Sequence, residues 1–185
     1  MKLKLTKSNL SKIVARGAAP IVTERLKERF KIVQAEFSKF QLESDDYEQI
    51  EKRFEPVSWL LTLIEKLTNS SSKKDYDLIH EFSHEEKSNS MLRTLGFSVK
   101  DSSIISLYLD VFHSTNTDAG ANSKVLKIGL EFDLISTCML CKFSRYLGDR
   151  ENATFFFKGC DLENVEYSPH FGNCFDFEER IIHDE

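Results

Sequence analysis

One string in the sequence has the spacing of a catalytic metal site, His80-Glu81-Phe82-Ser83-His84. On a helix, two histidines four residues apart face one side and can hold zinc, while Glu81 takes a proton from the metal-bound water. The neighbouring residues compete with that geometry. Tyr76, Leu78, His80 and Phe82 alternate with Asp77, Ile79 and Glu81, which suits a strand as well as a helix. Glu85, Glu86 and Lys87 follow where a buried metal-binding helix would turn apolar. A second set is the C-x-x-C pair Cys138 and Cys141 with His170 and Cys174, which could supply two pairs of zinc ligands. If the strand read before them continues, Cys138 and Cys141 point to opposite faces, and reduced buried thiols are the competing reading. No Gly-rich phosphate loop, G-x-S-x-G elbow or D-x-D-x-D-G calcium loop occurs. The expectation is a protein with no catalytic residue and no cofactor; zinc at one of these two sets is the alternative.

The elements that would position these residues change character along the chain. From Leu10 through Ile13, Val14, Ala18, Ile21, Val22, Leu26, Phe30, Val33, Phe37 and Phe40, apolar residues recur at steps of mostly three or four, predicting a long amphipathic helix. Ser8 or Asn9 is its expected N-cap, and Pro20 beside Gly17 predicts a kink or break near residues 16–20. Ser44-Asp45-Asp46 predicts a cap for a second helix through Phe54, which Pro56 separates from a third over residues 58–67. Asn69 to Lys74 is the linker candidate. Beyond it the period shortens. Residues 104–113 and 125–134 read as strands joined by a long hairpin, residues 153–157 and 165–167 as further strands, and Met91 to Leu95, stopped by Gly96, as one short helix. The expected fold is α+β, with a helical segment over 1–69 and a mainly antiparallel β-sheet over 75–185, either as two domains or as one combined domain.

With 185 residues, 41% hydrophobic and 15 Phe, the chain has material for a sizeable core, and its 10 Gly plus Pro exclude disordered and collagen-like classes. No apolar run reaches the length of a membrane span and Met1 to Leu5 lacks a signal-peptide core, so the expected setting is cytoplasmic or, for a viral component, the virion. Charge is polarised. Residues 1–31 carry nine basic and two acidic side chains, while residues 161–185 carry one and eight. Such poles favour oriented association between proteins, and the acidic half disfavours direct nucleic-acid binding. The candidate partner-binding residues are Lys12, Arg16, Arg25, Lys27, Arg29 and Lys31 at the basic pole, with Trp59 as an apolar anchor that core packing equally explains. At the acidic pole they are Asp161, Glu163, Glu166, Asp176, Glu178 and Glu179.

The stretch Ile13 to Val22, with its small residues Ala15, Gly17, Ala18 and Ala19, followed by Glu24 to Phe30, resembles the beginning of bacteriophage tail-completion and minor tail proteins. That resemblance implies a helix preceding a β-rich body and a non-enzymatic virion component near the head-tail junction, assembled as a homo-oligomer or ring. Two other functions remain open. One is a small acidic inhibitor, of the anti-defence or immunity type, whose acidic half covers the basic channel of a nucleic-acid enzyme. The other is a zinc metallopeptidase using His80, Glu81 and His84.

Overall fold

The computed structural model describes residues 6–69, 82–113, 121–136, 140, 144–149 and 154–160. They form the helices α1 (Lys7–Glu43), α2 (Tyr47–Asn69), α3 (Glu85–Thr94), α4 (Val99–His113) and α5 (Ala121–Glu131), and the strands β1 (Ser144–Asp149) and β2 (Thr154–Cys160). The α+β expectation is thereby corrected. Helix dominates the described residues, and their strands are limited to the antiparallel pair β1–β2, with a register shift between Arg145 and Tyr146. Residues 2–5 and 114–120, the stretch from Ser70 to Lys74 and all residues after Cys160, with the expected strand at 165–167 among them, lie outside the described residues.

The two expected central strands are α4 and α5, and both misreadings have a physical cause. Residues 104–109 of α4 are all buried, so no polar face interrupts the run, and periodicity alone does not separate a buried helix from a buried strand. Its two buried serines are satisfied within the helix, the Ser102 and Ser106 hydroxyls donating to the carbonyls of Val99 and Ser103 at 3.1 Å. In α5 the alternation of Leu126, Ile128, Leu130 and Phe132 hides a helical face made of Val125, Ile128 and Phe132; Leu130 is exposed. The helix ends where Asp133 takes a left-handed φ of 53°. There its amide donates to the Leu130 carbonyl and that of Leu134 to the Gly129 carbonyl.

Neither proline interrupts its helix, contrary to the break expected at residues 16–20 and the division expected at Pro56. A proline in a helix interior costs ~3 kcal/mol by removing one amide donor. Pro20 is exposed, so the Arg16 carbonyl that loses this donor lies where water can reach it. Past Pro56, the buried Val57, Leu60, Leu63 and Ile64 each contribute ~1.5–3 kcal/mol of burial, which together outweigh that cost. The cap of α1 is Thr6, ahead of Ser8 and Asn9, with its Oγ1 accepting from the Asn9 amide at 3.2 Å. Asp46 caps α2 as the sequence predicts, its Oδ1 accepting from the amides of Glu48 and Gln49 at 3.1 and 3.2 Å.

The chain divides into two compact units, one of Met1–Ala18 with Ala119–Glu185, the other of Ala19–Asp118. In the first unit α1 lies close against α5. A Cβ at Gly129 would stand 2.9 Å from Val14 Cγ2 and 2.7 Å from Ile135 Cδ1, so only glycine permits that approach. In the second unit the core is built from Val22 and Leu26 of α1, Leu60 and Leu63 of α2, Leu92 of α3, and Ile105 and Leu109 of α4, all fully buried. Arg25 pairs with Asp101 Oδ1 at 2.7 Å, while Asp101 Oδ2 accepts from the Ser98 hydroxyl that caps α4. This pair is exposed enough to contribute at most ~1 kcal/mol, so its effect is to orient α1 against α4.

His113 closes α4, buried and edge-on to the Tyr108 ring at 5.4 Å between centroids. Burial disfavours the imidazolium and lowers its pKa from 6.5 to about 4, outweighing the helix end that would favour the cation. The unfolded chain therefore binds a proton in a range where the native one does not. This group's contribution is complete above pH 6.5 and is lost as pH falls from 6.5 toward 4, amounting to roughly 3 kcal/mol. Urea unfolding across that range should show stability falling with acidity, and His113→Gln should flatten the slope; an unchanged slope in the variant would contradict the assignment.

Candidate functional site

Most sequence-predicted site residues separate into those with an internal contact and those outside the described residues. His80, Glu81, Cys138, Cys141, His170 and Cys174 are outside them, as are Asp161, Glu163, Glu166, Asp176, Glu178 and Glu179. His84 is described. It is the N-cap residue of α3, with extended backbone at φ −73° and ψ 101°, so no continuous helix carries it in the geometry that H-E-x-x-H chemistry needs. Among the described residues no three His, Cys, Asp or Glu side chains are grouped to hold a metal. Lys12, Arg16 and Lys31 are exposed and Lys27 is half-buried, whereas Arg25 is held by Asp101. Trp59 is half-buried, with its ring 5.4 Å from that of Phe82.

Arg29 serves the end of α3. That helix stops in a Schellman turn, where the Phe97 amide donates to the Leu92 carbonyl and the Gly96 amide to that of Arg93. Gly96 adopts φ +83°, a conformation side chains rarely tolerate, and a Cβ there would collide with the Arg29 guanidinium. Arg29 Nε donates to the Leu95 carbonyl, placing a cation at the negative end of α3. Short helix, glycine stop and arginine thus form one local arrangement.

The feature the basic and acidic poles did not reveal is the corner between α1 and α2. Residues Gln41 to Glu51 include five acids, Glu43, Asp45, Asp46, Glu48 and Glu51, and no Lys or Arg. Within this run Leu42 and Tyr47 are each 88% exposed. The corner is held in place by α1–α2 contacts just behind it: the rings of Phe37 and Phe54 are 5.6 Å apart, and the Arg53 guanidinium lies 3.8 Å over the Phe40 ring. Ser44 Oγ accepts from the Asp46 amide at 3.2 Å, fixing the short connection. Glu48 suits the first turn of α2, but Glu43 at the carboxyl end of α1 opposes the helix dipole by ~0.3–1 kcal/mol, so helix stability does not account for it.

Behind the corner is an open cleft of about 780 Å³. Val33, Phe37, Val57 and Leu95 give it apolar surface. Arg29 and Glu36 line it from α1, Asp46 from the cap of α2, and Glu48, Lys52 and Arg53 from α2 itself. Its volume suits side chains of another molecule, and its lining offers apolar contact with charges of both signs but no nucleophile paired with a base. The corner's sequence signal was legible as two large apolar residues inside an uninterrupted acidic turn.

Comparison with family models, curated proteins and solved structures finds no match to the chain. The likeness to phage tail proteins gains no support beyond the stretch that carries it, and the β-rich body it implied is corrected to helix at α4 and α5.

Gly96→Ala should destabilise the protein by about 1–2 kcal/mol in urea unfolding, through the left-handed backbone and the displaced arginine. An unchanged midpoint would contradict this account of the α3 stop.

Proposed function

We propose that this chain is a non-enzymatic protein-interaction protein that docks another protein chain through the α1–α2 corner. The observation that carries the reading is the pair Leu42 and Tyr47, both 88% exposed at the ends of helices that ring contacts hold together. Apolar side chains displayed on a fixed support lose little entropy on binding, and their acidic surroundings favour a basic rim on the partner. The first part of α1, expected to be a basic arm, buries its apolar face, with Leu10, Val14, Ala18, Val22 and Leu26 nearly or wholly inaccessible. Association by a detached arm is therefore set aside in favour of the corner. None of the helices of the described residues is long and apolar enough to cross a membrane, and the reading requires no membrane.

A benzophenone amino acid in place of Tyr47 provides the test, in the cells that make the protein. Irradiation should produce a protein adduct through position 47, absent when the same group replaces the exposed Glu24 and strongly reduced by Leu42→Ser. No adduct at 47, or equal adducts at 47 and 24, would overturn the docking reading.

A further inference from the structure

We propose that the partner lays a basic amphipathic helix of its own along the outer face of α2, from Tyr47 at the corner to Leu61, a path of roughly 21 Å. This rests on the docking reading and adds the partner's chemistry and the direction it takes from the corner.

Three exposed apolar side chains of α2 stand at steps of seven: Tyr47 at 88%, Phe54 at 50% and Leu61 at 40%. Seven residues fall ~20° short of two helical turns, so the three form one nearly straight stripe. Three residues after each of them, Ile50 is half-buried and Val57 and Ile64 are buried, so one flank of the stripe runs into the core. The other flank is open and acidic. The positions one and four after each apolar residue are Glu48, Glu51, Glu55, Ser58, Thr62 and Glu65. Its four carboxylates are exposed, and among the described residues none of them joins an ion pair. Glu51 repels Glu48 and Glu55 from three and four residues away, so helix stability does not account for this row. The three cations of α2 are placed elsewhere. Lys52 and Arg53 line the cleft, which Glu48 borders as well, and Lys66 Nζ lies 5.0 Å over the Phe82 ring.

The spacing selects a helix as occupant. Side chains seven apart on α2 recur every ~10 Å, and apolar residues in a heptad on an opposing helix meet them turn for turn. A strand, whose side chains on one face recur every ~7 Å, falls out of step. The charge selects a basic helix. Lys or Arg beside the partner's heptad would stand against Glu51, Glu55 and Glu65, as flanking charges do where they set partner choice between paired helices. A second copy offering this same face would set carboxylate against carboxylate, so the occupant is a different chain.

The experiment follows the fluorescence anisotropy of two labelled peptides titrated with the full chain. Both carry leucine at the a and d positions of three heptads; one has lysine at the flanking e and g positions, the other glutamate. The lysine peptide should bind at least about tenfold more tightly than the glutamate peptide. Glu51→Lys with Glu55→Lys should reverse that order. Glu24→Lys with Glu28→Lys makes the same change of net charge at exposed positions of α1 and should leave the order as it is. Leu61→Ser should raise the Kd of the lysine peptide at least about fivefold while circular dichroism stays unchanged. Equal affinity for the two peptides, an order that the α1 pair changes as much as the α2 pair, or a Leu61→Ser chain that binds like wild type would each overturn the inference. In cells, a benzophenone amino acid in place of Leu61 should trap the same protein as position 47, both crosslinks falling in one segment rich in Lys or Arg. An adduct through 47 without one through 61, or crosslinks in a segment lacking cations, would overturn the basic helix while leaving the docking reading standing; no adduct through either would overturn both.

Discussion

Everything else in the described structure depends on one stripe of α1 being buried. Leu10, Val14, Ala18, Val22 and Leu26 recur at four-residue spacing and are almost wholly inaccessible. A helix has 3.6 residues per turn, so a strict spacing of four drifts slowly around the axis, and the stripe stays continuous only as a gentle spiral. Its first part packs into one compact unit and its later part into the other. The small residues Gly17 and Ala18 allow close approach in the first unit, where a Cβ at Gly17 would collide with Leu134. Larger side chains, above all Leu26, fill the core of the second. Pro20 is tolerated between them because burial on either side offsets the lost hydrogen bond.

That burial reassigns the charges around the stripe. With its apolar face packed inward, α1 cannot act as a loose cationic limb, and two of its cations have internal partners. Arg25 holds Asp101 at the start of α4, and Arg29 holds the carboxyl end of α3. Both are placed by the same helix that supplies Val22 and Leu26 to the core. The part of α1 left with few buried positions is its last third, where only Val33 is fully covered. There the helix meets α2 mainly through rings and one cation–π contact, and the pair of helices carries its exposed leucine and tyrosine away from the packed interior. The proposed docking corner is thus what remains of α1 once its stripe has been used.

Much of this was legible in particular residues and some was not. The α1 stripe, the Asp46 cap and the Gly96 stop are each written in local sequence, because capping and left-handed turns depend on few neighbours. The helices α4 and α5 were not legible as helices. In α4 burial on most sides removed the polar face that would have revealed the period, and in α5 Leu130 completed an alternation although it points to solvent. The prolines were overweighted because their local cost was set against nothing, while tertiary burial offsets it. Among candidate site residues, charge totals directed attention to the two ends of the chain and passed over Gln41 to Glu51, whose acidity is local.

The central claim, that α1 is a core helix over its buried stripe, is tested most directly by native-state hydrogen exchange read residue by residue. The account predicts that the amides of Val22 and Leu26 exchange as slowly as those of Ile105 and Leu109 in α4, opening only with the unit they share. Fast exchange at Val22 and Leu26 while Ile105 and Leu109 stay protected would show an arm undocked from the core, and would contradict it.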